Sequence, residues 1–249
     1  MSAPDPAGVP VAILCGGRGT RLQERTHAIP KALVEIGGKP IIWHVIRIYA
    51  AQGYRRFLLL TGYLGDQVEG YAATEQWPDQ VAVECLDTGL ETSTGGRVAR
   101  AAEQLGDGTF CLTYADGVAD IDLGAAAAQH TDGDAIATMT VVRPYSQWGI
   151  ALIDEHHRVT GFEEKPRLDY WINGGFFICE PSFLDHIGGD TVLEREPLES
   201  VASAGRLGAY RHDGFWDCMD TYKDAVLLND LWDSGNPPWR VWGREEVTA

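Results

Sequence analysis

Long hydrophobic runs are missing from this chain. Nowhere in its 249 residues does an apolar stretch approach the roughly twenty residues that a membrane-crossing helix needs, so no membrane partner is expected. Met1 to Gly8 lacks both a basic and an apolar segment and reads as a frayed N-terminus rather than a signal peptide. Cysteine is sparse: Cys15, Cys85, Cys111, Cys179 and Cys218 are odd in number and widely scattered. That argues against a disulfide frame or a zinc site, and for small buried hydrophobes in a reducing cytoplasm. Positive charge is short as well, with 20 Lys and Arg against 36 Asp and Glu, a net charge of −16 and an isoelectric point near 4.7. A body so acidic disfavours nucleic acid and anionic lipid as partners. Ser/Pro-rich linkers, repeats and low-complexity blocks are also lacking. One domain over 1–249 is therefore expected, large enough to bury a substantial core.

What the chain does have is glycine and positive charge concentrated near its start. Residues 16–40 carry Arg18, Arg21, Arg25, Lys31 and Lys39 against Glu24 and Glu35, a local +3 set in a remainder of −19. Such a focus in an acidic body suits an anionic small molecule. Just before it, Val9 to Cys15 is an apolar, β-branched run that reads as a buried first strand and stops at Gly16-Gly17. Gly16, Gly17 and Gly19 have no Cβ to hold a ligand off. Successive backbone N–H groups can therefore turn towards an anion, while the arginines and Lys31 supply formal charge. The best-known phosphate loops do not fit. Gly19 is followed by Thr20-Arg21 rather than Lys-Ser/Thr, and Leu22 stands where a dinucleotide loop has its third glycine.

Downstream, Pro40 opens a helix in which Ile41, Ile42, Val45, Ile46 and Tyr49 recur at helical spacing until Gly53; His44 within it reads as structural. Arg56 to Thr61 and Val81 to Leu86 read as further strands, with a short helix after Gly62 between them. This alternation implies an α/β fold with a sheet covered on both faces and ligands beyond the carboxyl ends of its strands. Thr94-Gly95-Gly96-Arg97 leads into a helical run to about Leu105. It is either an ordinary turn or a source of donors for a base edge or phosphate. Phe110 to Tyr114 reads as a strand ending near Asp116, which is placed either to hold Mg²⁺ or to make an Asp-Gly turn. Asp120 and Asp122 read as a helix-cap region.

From Ala135 the pattern turns β-rich, with strands expected at Ala135–Val142, Gly149–Ile153, Val159–Glu163 and Gly175–Cys179. Glu164, Lys165 and Asn173 offer a carboxylate, an ammonium and a carboxamide suited to a sugar phosphate, although composition alone favours an exposed charged turn. Pro197 to Ala204 and Thr221 to Trp232 look helical, with a strand near Leu207 to Arg211. Asp220 is either the cap of the last helix or a second metal carboxylate converging on Asp116. Trp232, Trp239 and Trp242 read as packing or subunit contact rather than a sugar platform.

Taken in order, a set of segments resembles the sugar-1-phosphate nucleotidyltransferases over nearly the whole chain, from Val11 to Trp242. They are Gly16-Gly17-Arg18-Gly19-Thr20-Arg21-Leu22 with Lys31 nine residues on, Val34 to Ile41, Thr94 to Arg97, Asp116-Gly117-Val118, Phe162 to Pro166, Trp171 to Phe177, Gly214-Phe215-Trp216 and Met219-Asp220-Thr221. Within that family they look most like the branch that acts on CTP and α-D-glucose 1-phosphate. The resemblance implies the nucleotide-diphospho-sugar transferase fold, a Rossmann-like mixed, mostly parallel sheet flanked by helices with a small β-rich sugar-binding part. It implies a nucleotide-binding half at 9–134, a sugar-phosphate-binding half at 135–220, and a C-terminal helix and tail at 221–249.

The same resemblance implies roles. Arg21 and the Gly16–Thr20 backbone, with Cys15 and Arg18 alongside, hold the triphosphate; Lys31 bridges the reacting phosphate; Asp116 and Asp220 bind Mg²⁺. Thr94, Gly95 and Arg97 lie by the base, with Arg97 in reach of phosphate, and Glu164, Lys165, Asn173 and Gly174 form the sugar-phosphate site. A homo-oligomer is expected. There are departures: Cys15, Ala32 and Ala115 stand where the family has alanine, proline and glycine. The stretch between Tyr71 and Asp87 is shorter than in those enzymes, where a hairpin takes part in subunit contacts. Gln147 to Ala151 and Arg167 to Tyr170 also differ near the sugar side. The implied reaction is in-line attack of a sugar 1-phosphate on the α-phosphorus of CTP, with pyrophosphate leaving. Competing readings are another sugar phosphate, UTP or dTTP as donor, a non-catalytic nucleotide sensor, and an assembly protein.

Overall fold

A computed structural model describes residues 3–19 and 28–243. Strand β1 (Pro10–Leu14) is buried along its whole length, as its apolar, β-branched run predicts. There follow β2 (Glu35–Ile36), β3 (Lys39–Pro40), α1 (Ile41–Ala50), β4 (Arg56–Thr61), α2 (Gly65–Thr74), β5 (Ala82–Asp87), α3 (Thr94–Arg100), α4 (Ala102–Leu105), β6 (Phe110–Tyr114), β7 (Gly117–Ala119) and α5 (Leu123–Asp132). The second half holds β8 (Ala137–Val142), β9 (Ile150–Ile153), β10 (Val159–Glu163), β11 (Ile172–Cys179), α6 (Glu196–Ser203), β12 (Leu207–His212), β13 (Trp216–Cys218) and α7 (Tyr222–Asp233).

Seven strands form one sheet in the order β12-β8-β11-β6-β1-β4-β5. Neighbours run parallel except at β11, which is antiparallel to both β6 and β8. This is the mixed, mostly parallel α/β sheet expected. Within the β-rich second half, β8, β11 and β12 continue the main sheet, while β9 and β10 make a separate two-stranded ribbon. Alternate residues of β1 face opposite cores. Val11 and Ile13 pack towards α1, α5 and α7; Ala12 and Leu14 pack towards α3, α4 and α6. Coverage on both sides is why the central strands read as unbroken apolar runs.

Two features of this topology position chemistry. The carboxyl ends of β1, β4, β5 and β6 carry Gly16, Gly62, Thr88 and Asp116 to one edge of the sheet. Because β11 runs the other way, its first residues arrive at that same edge. The entry is irregular: register shifts between Asn173 and Phe177, and Gly175 (φ 74°) and Phe176 (φ 51°) sit in the left-handed region. Such bulges occur beside sites because they re-aim side chains.

The C-terminal tryptophans pack. Trp239 is fully buried, and its indole N–H donates to His44 Nδ1 at 3.3 Å while His44 Nε2–H donates to the Ile36 carbonyl at 2.8 Å. Burial pulls the His44 pKa down to about 4, consistent with a neutral ring serving one donor and one acceptor. Trp232 meets the His44 ring edge-on at 4.9 Å and lies over Gly37, where φ is 60° and an added Cβ would come within 2.1 Å of the indole. Trp239→Ala should therefore cost about 3–5 kcal/mol in urea unfolding, the range for emptying a large aromatic site. A loss under about 1 kcal/mol would show that Trp239 carries little of the core's packing.

Candidate active site

A cleft of about 480 Å³ opens at the sheet edge where the strand ends meet. It is lined by Gly16, Gly17 and Gly19, by Lys31, Asp116 and Asp220, and by Thr92 to Thr94, Tyr114 and Glu194. Lys31 sits in a single 3-10 turn, Lys31–Leu33, that starts directly after Pro30. Its Nζ lies 2.5 Å from Asp116 Oδ2 and 2.7 Å from Asp220 Oδ1. Burial alone would lower the pKa of this ammonium, but the charges and hydrogen bonds of the two carboxylates outweigh it and leave the pKa raised. Lys31 is accordingly a cation at neutral pH.

The convergence of two acids so far apart in sequence is made by one small ribbon. β7 pairs antiparallel with β13, Gly117 opposite Cys218, and Met219 N donates to the Asp116 carbonyl at 2.9 Å. Asp116 leads into one strand and Asp220 follows the other, so both arrive at the same end. The cap of α7 is Thr221, in a reciprocal box with Asp224. Of the two readings of Asp220, the structure takes it away from capping and faces it to Lys31. Two carboxylates close enough to share one cation are hard oxygen donors suited to Mg²⁺. Among the described residues no group of three or more His, Cys, Asp or Glu is placed to hold a metal. A magnesium ion there would take its remaining ligands from water and substrate phosphate, as that ion commonly does.

The remaining sequence-derived residues are placed as follows. Gly16, Gly17 and Gly19 line the cleft, as does Cys15, whose thiol donates to the Leu60 carbonyl at 3.4 Å and is kept protonated by burial. Arg18 points to the rim, paired with Glu91 and lying over the Tyr63 ring at 5.1 Å. Thr20 and Arg21 lie outside the described residues. Thr94 donates its hydroxyl to Glu194 Oε2 at 2.9 Å and accepts from Leu193 N at 2.8 Å.

Gly95 has a different use from the one its loop suggests. Its N–H and that of Gly96 both go to the Thr191 carbonyl, at 2.9 and 3.2 Å. A Cβ on Gly95 would lie 2.7 Å from that oxygen, so the glycine admits the 190–194 loop against the start of α3. Arg97, expected in reach of phosphate, lines the cleft, with its guanidinium donating to the Thr61, Gly89 and Gly16 carbonyls.

On the sugar side the set divides. Asn173 Nδ2 donates to Tyr114 Oη at 3.1 Å and so reaches the cleft's border, while the Gly174 carbonyl accepts from Trp216 Nε1 at 2.7 Å and Gly174 does not line the cleft. Glu164 and Lys165 occupy the exposed turn after β10, 3.8 Å from one another, and do not line the cleft. Tyr114 and Glu194 are among the cleft residues that escaped sequence reasoning. Tyr114 donates to Glu194 Oε1 at 2.6 Å, and the carboxylate holds this hydroxyl beside Thr94 and Asn173. Burial first, and Glu194 second, keep the Tyr114 hydroxyl protonated. Tyr114 reads as the end of a strand, and Glu194 stands in a charged loop without a motif.

A family model described as nucleotidyl transferase matches residues 11–205. The glucose-1-phosphate cytidylyltransferase of Salmonella typhi is 40% identical over 92% of this chain and 98% of its own. Mannose-1-phosphate guanylyltransferase 1 of Arabidopsis thaliana is 31% identical over 86% of this chain and 62% of its own. Among solved structures, HddC from Yersinia pseudotuberculosis complexed with GMP-PN aligns over 90% of this chain and 99% of its own at a TM-score of 0.69; at 20% identity it speaks for the fold alone. With a family match spanning most of its length and a full-length relative at 40% identity, this chain belongs to the nucleotidyl transferase family.

Proposed function

We propose that this protein transfers the cytidylyl group of CTP to α-D-glucose 1-phosphate, giving CDP-glucose and pyrophosphate. The observation that carries the reading is the Lys31–Asp116–Asp220 constellation under a glycine loop, in a chain 40% identical to an enzyme named for that reaction. A phosphate oxygen of the sugar phosphate attacks the α-phosphorus of CTP. The bond from that phosphorus to the bridging β-oxygen breaks, and pyrophosphate carries the electron pair away. The attacking oxygen is already anionic, so no general base or covalent nucleophile is required. The difficulty is to bring two anions together.

The chain's own residues answer that difficulty. Lys31, held cationic and part-buried, meets the reacting phosphate with a charge that bulk water would screen far more. The Gly16, Gly17 and Gly19 backbone, with Arg18, Thr20 and Arg21, takes the triphosphate, and the loop carrying Thr94 and Gly95 borders the base. Asn173 and Gly174 stand at the sugar end with Glu164 and Lys165 on the neighbouring turn, and Tyr114 and Glu194 extend that wall. Asp116 and Asp220 would hold Mg²⁺, which when bound would offset phosphate charge. All five cysteines are free thiols, which supports a reducing cytoplasm. Large apolar side chains exposed on the β9–β10 ribbon, such as Leu152 and Phe162, support self-association.

Lys31→Ala should lower kcat on the order of 10²-fold or more with the melting temperature little changed, since it deletes a transition-state charge contact. An unchanged kcat would remove Lys31 from the chemistry. Pyrophosphate release should be fastest with CTP and glucose 1-phosphate when CTP, UTP, dTTP and GTP are crossed with a panel of sugar 1-phosphates in Mg²⁺. Faster release from another pair reassigns the substrates, and none from any pair favours a nucleotide sensor.

A further inference from the structure

The segment Gly214-Phe215-Trp216 lines no part of the cleft. It turns the chain from β12 into β13, and there it meets Asp120. Phe215 N donates to Asp120 Oδ1 at 2.7 Å, and Asp120 N donates to the Phe215 carbonyl at 3.2 Å. His212, the buried last residue of β12, sets its Nε2 3.0 Å from that same carbonyl and 3.1 Å from Asp120 Oδ1. Facing two acceptors, this nitrogen carries the proton and donates. So close an approach needs a glycine at 214, where a Cβ would fall 2.3 Å from Asp120 Oδ1 and 2.7 Å from His212 Cε1. The cap of α5 is Asp122, which accepts from Ala125 N at 2.8 Å, so Asp120 is left to this knot rather than to capping.

We propose that His212 and Asp120 are positioning residues for the two cleft carboxylates: they pin one end of the β7–β13 ribbon to the main sheet and so fix the spacing of Asp116 and Asp220 at the other. Such a role rests on the reading of Asp116 and Asp220 as magnesium ligands. The ribbon is short, running from Trp216 opposite Ala119 to Cys218 opposite Gly117. An antiparallel pair of that length has little stability of its own, so its tilt and register are set by what holds its ends. At one end Met219 N donates to the Asp116 carbonyl, with both carboxylates beside it. At the other stands the knot, where His212 joins the ribbon to β12 and the Phe215 ring stacks on the buried Trp239 at 5.6 Å. Four residues of extended chain at ~3.3 Å each put the knot about 13 Å from the carboxylates. It therefore acts through the ribbon and touches no substrate. Octahedral coordination of magnesium tolerates little error in ligand spacing, so a ribbon that tilts weakens the site without unfolding the protein.

The test is CTP binding by calorimetry without sugar phosphate, so that nothing turns over, run once in Mg²⁺ and once in EDTA. The ratio of the two Kd values measures how strongly metal and nucleotide support one another. His212→Phe keeps a flat ring but removes the donor. It should lower that ratio on the order of 10-fold and leave the Kd in EDTA near wild type. His212→Gln, which restores an N–H, should recover most of the ratio. A purely structural role would lower the melting temperature of His212→Phe and leave the ratio of the folded protein as it was. An unchanged ratio in folded His212→Phe would overturn the proposal alone. A wild-type ratio of one, or a ratio untouched by Asp220→Ala, would overturn the magnesium reading as well. Should His212→Phe not fold, Gly214→Ala drives a methyl into the knot; it should lower the ratio several-fold, and an unchanged value would count against the proposal equally.

Discussion

Two carboxylates that would repel one another are held facing a single ammonium, and the fold is arranged to keep them there. Asp116 comes from the end of a core strand, Asp220 from the far end of the chain, and Lys31 from a turn near its beginning. None of the three is placed by its own neighbours in sequence. The β7–β13 ribbon brings the acids together, and the turn after Pro30, packed against α1, brings the lysine. Part-buried charges of one sign cannot lie this close without a counter-charge. The three residues consequently stand or fall as a unit, and a substrate phosphate or a divalent ion enters by joining that balance.

The sheet serves the cleft through its one reversed strand. Six strands supply a scaffold with a common carboxyl edge, a frequent place for ligands in α/β proteins. The reversal of β11 delivers Asn173 and Gly174 to that edge from the other side, and the left-handed pair Gly175-Phe176 adjusts where they point. Phe176 is not a residue that adopts this backbone readily, with a cost on the order of 1–3 kcal/mol. Its side chain is buried and stacks on Tyr49 at 5.8 Å, which holds the bulge in place.

Local chemistry made much of this legible in the sequence, and non-local geometry hid the rest. The apolar runs at β1, β4 and β6 and the periodicity of α1 announce themselves because each is buried by its own pattern. The glycine loop was readable because glycine and arginine together have few structural uses. The role of Asp220 was not: an acid ahead of a helix is as good a cap as a ligand until the ribbon pairing is known, and Thr221 proves to be the cap. Gly95 and Gly96 look like a phosphate loop, yet their amides are met by Thr191, nearly a hundred residues away. Tyr114 and Glu194 carry no motif, and only the contact between β6 and the 190–194 loop makes them a pair.

The packing of Trp232 over Gly37 and of Trp239 against His44 joins the last elements of the chain to its first quarter. The core beneath α1 also takes in Met219, Leu228 and Trp242. During synthesis, then, a ribosome that has released α1 and the early strands has released only part of the material that will cover them. Those apolar faces stay bare until the carboxyl end emerges, a window in which a chaperone is best able to act.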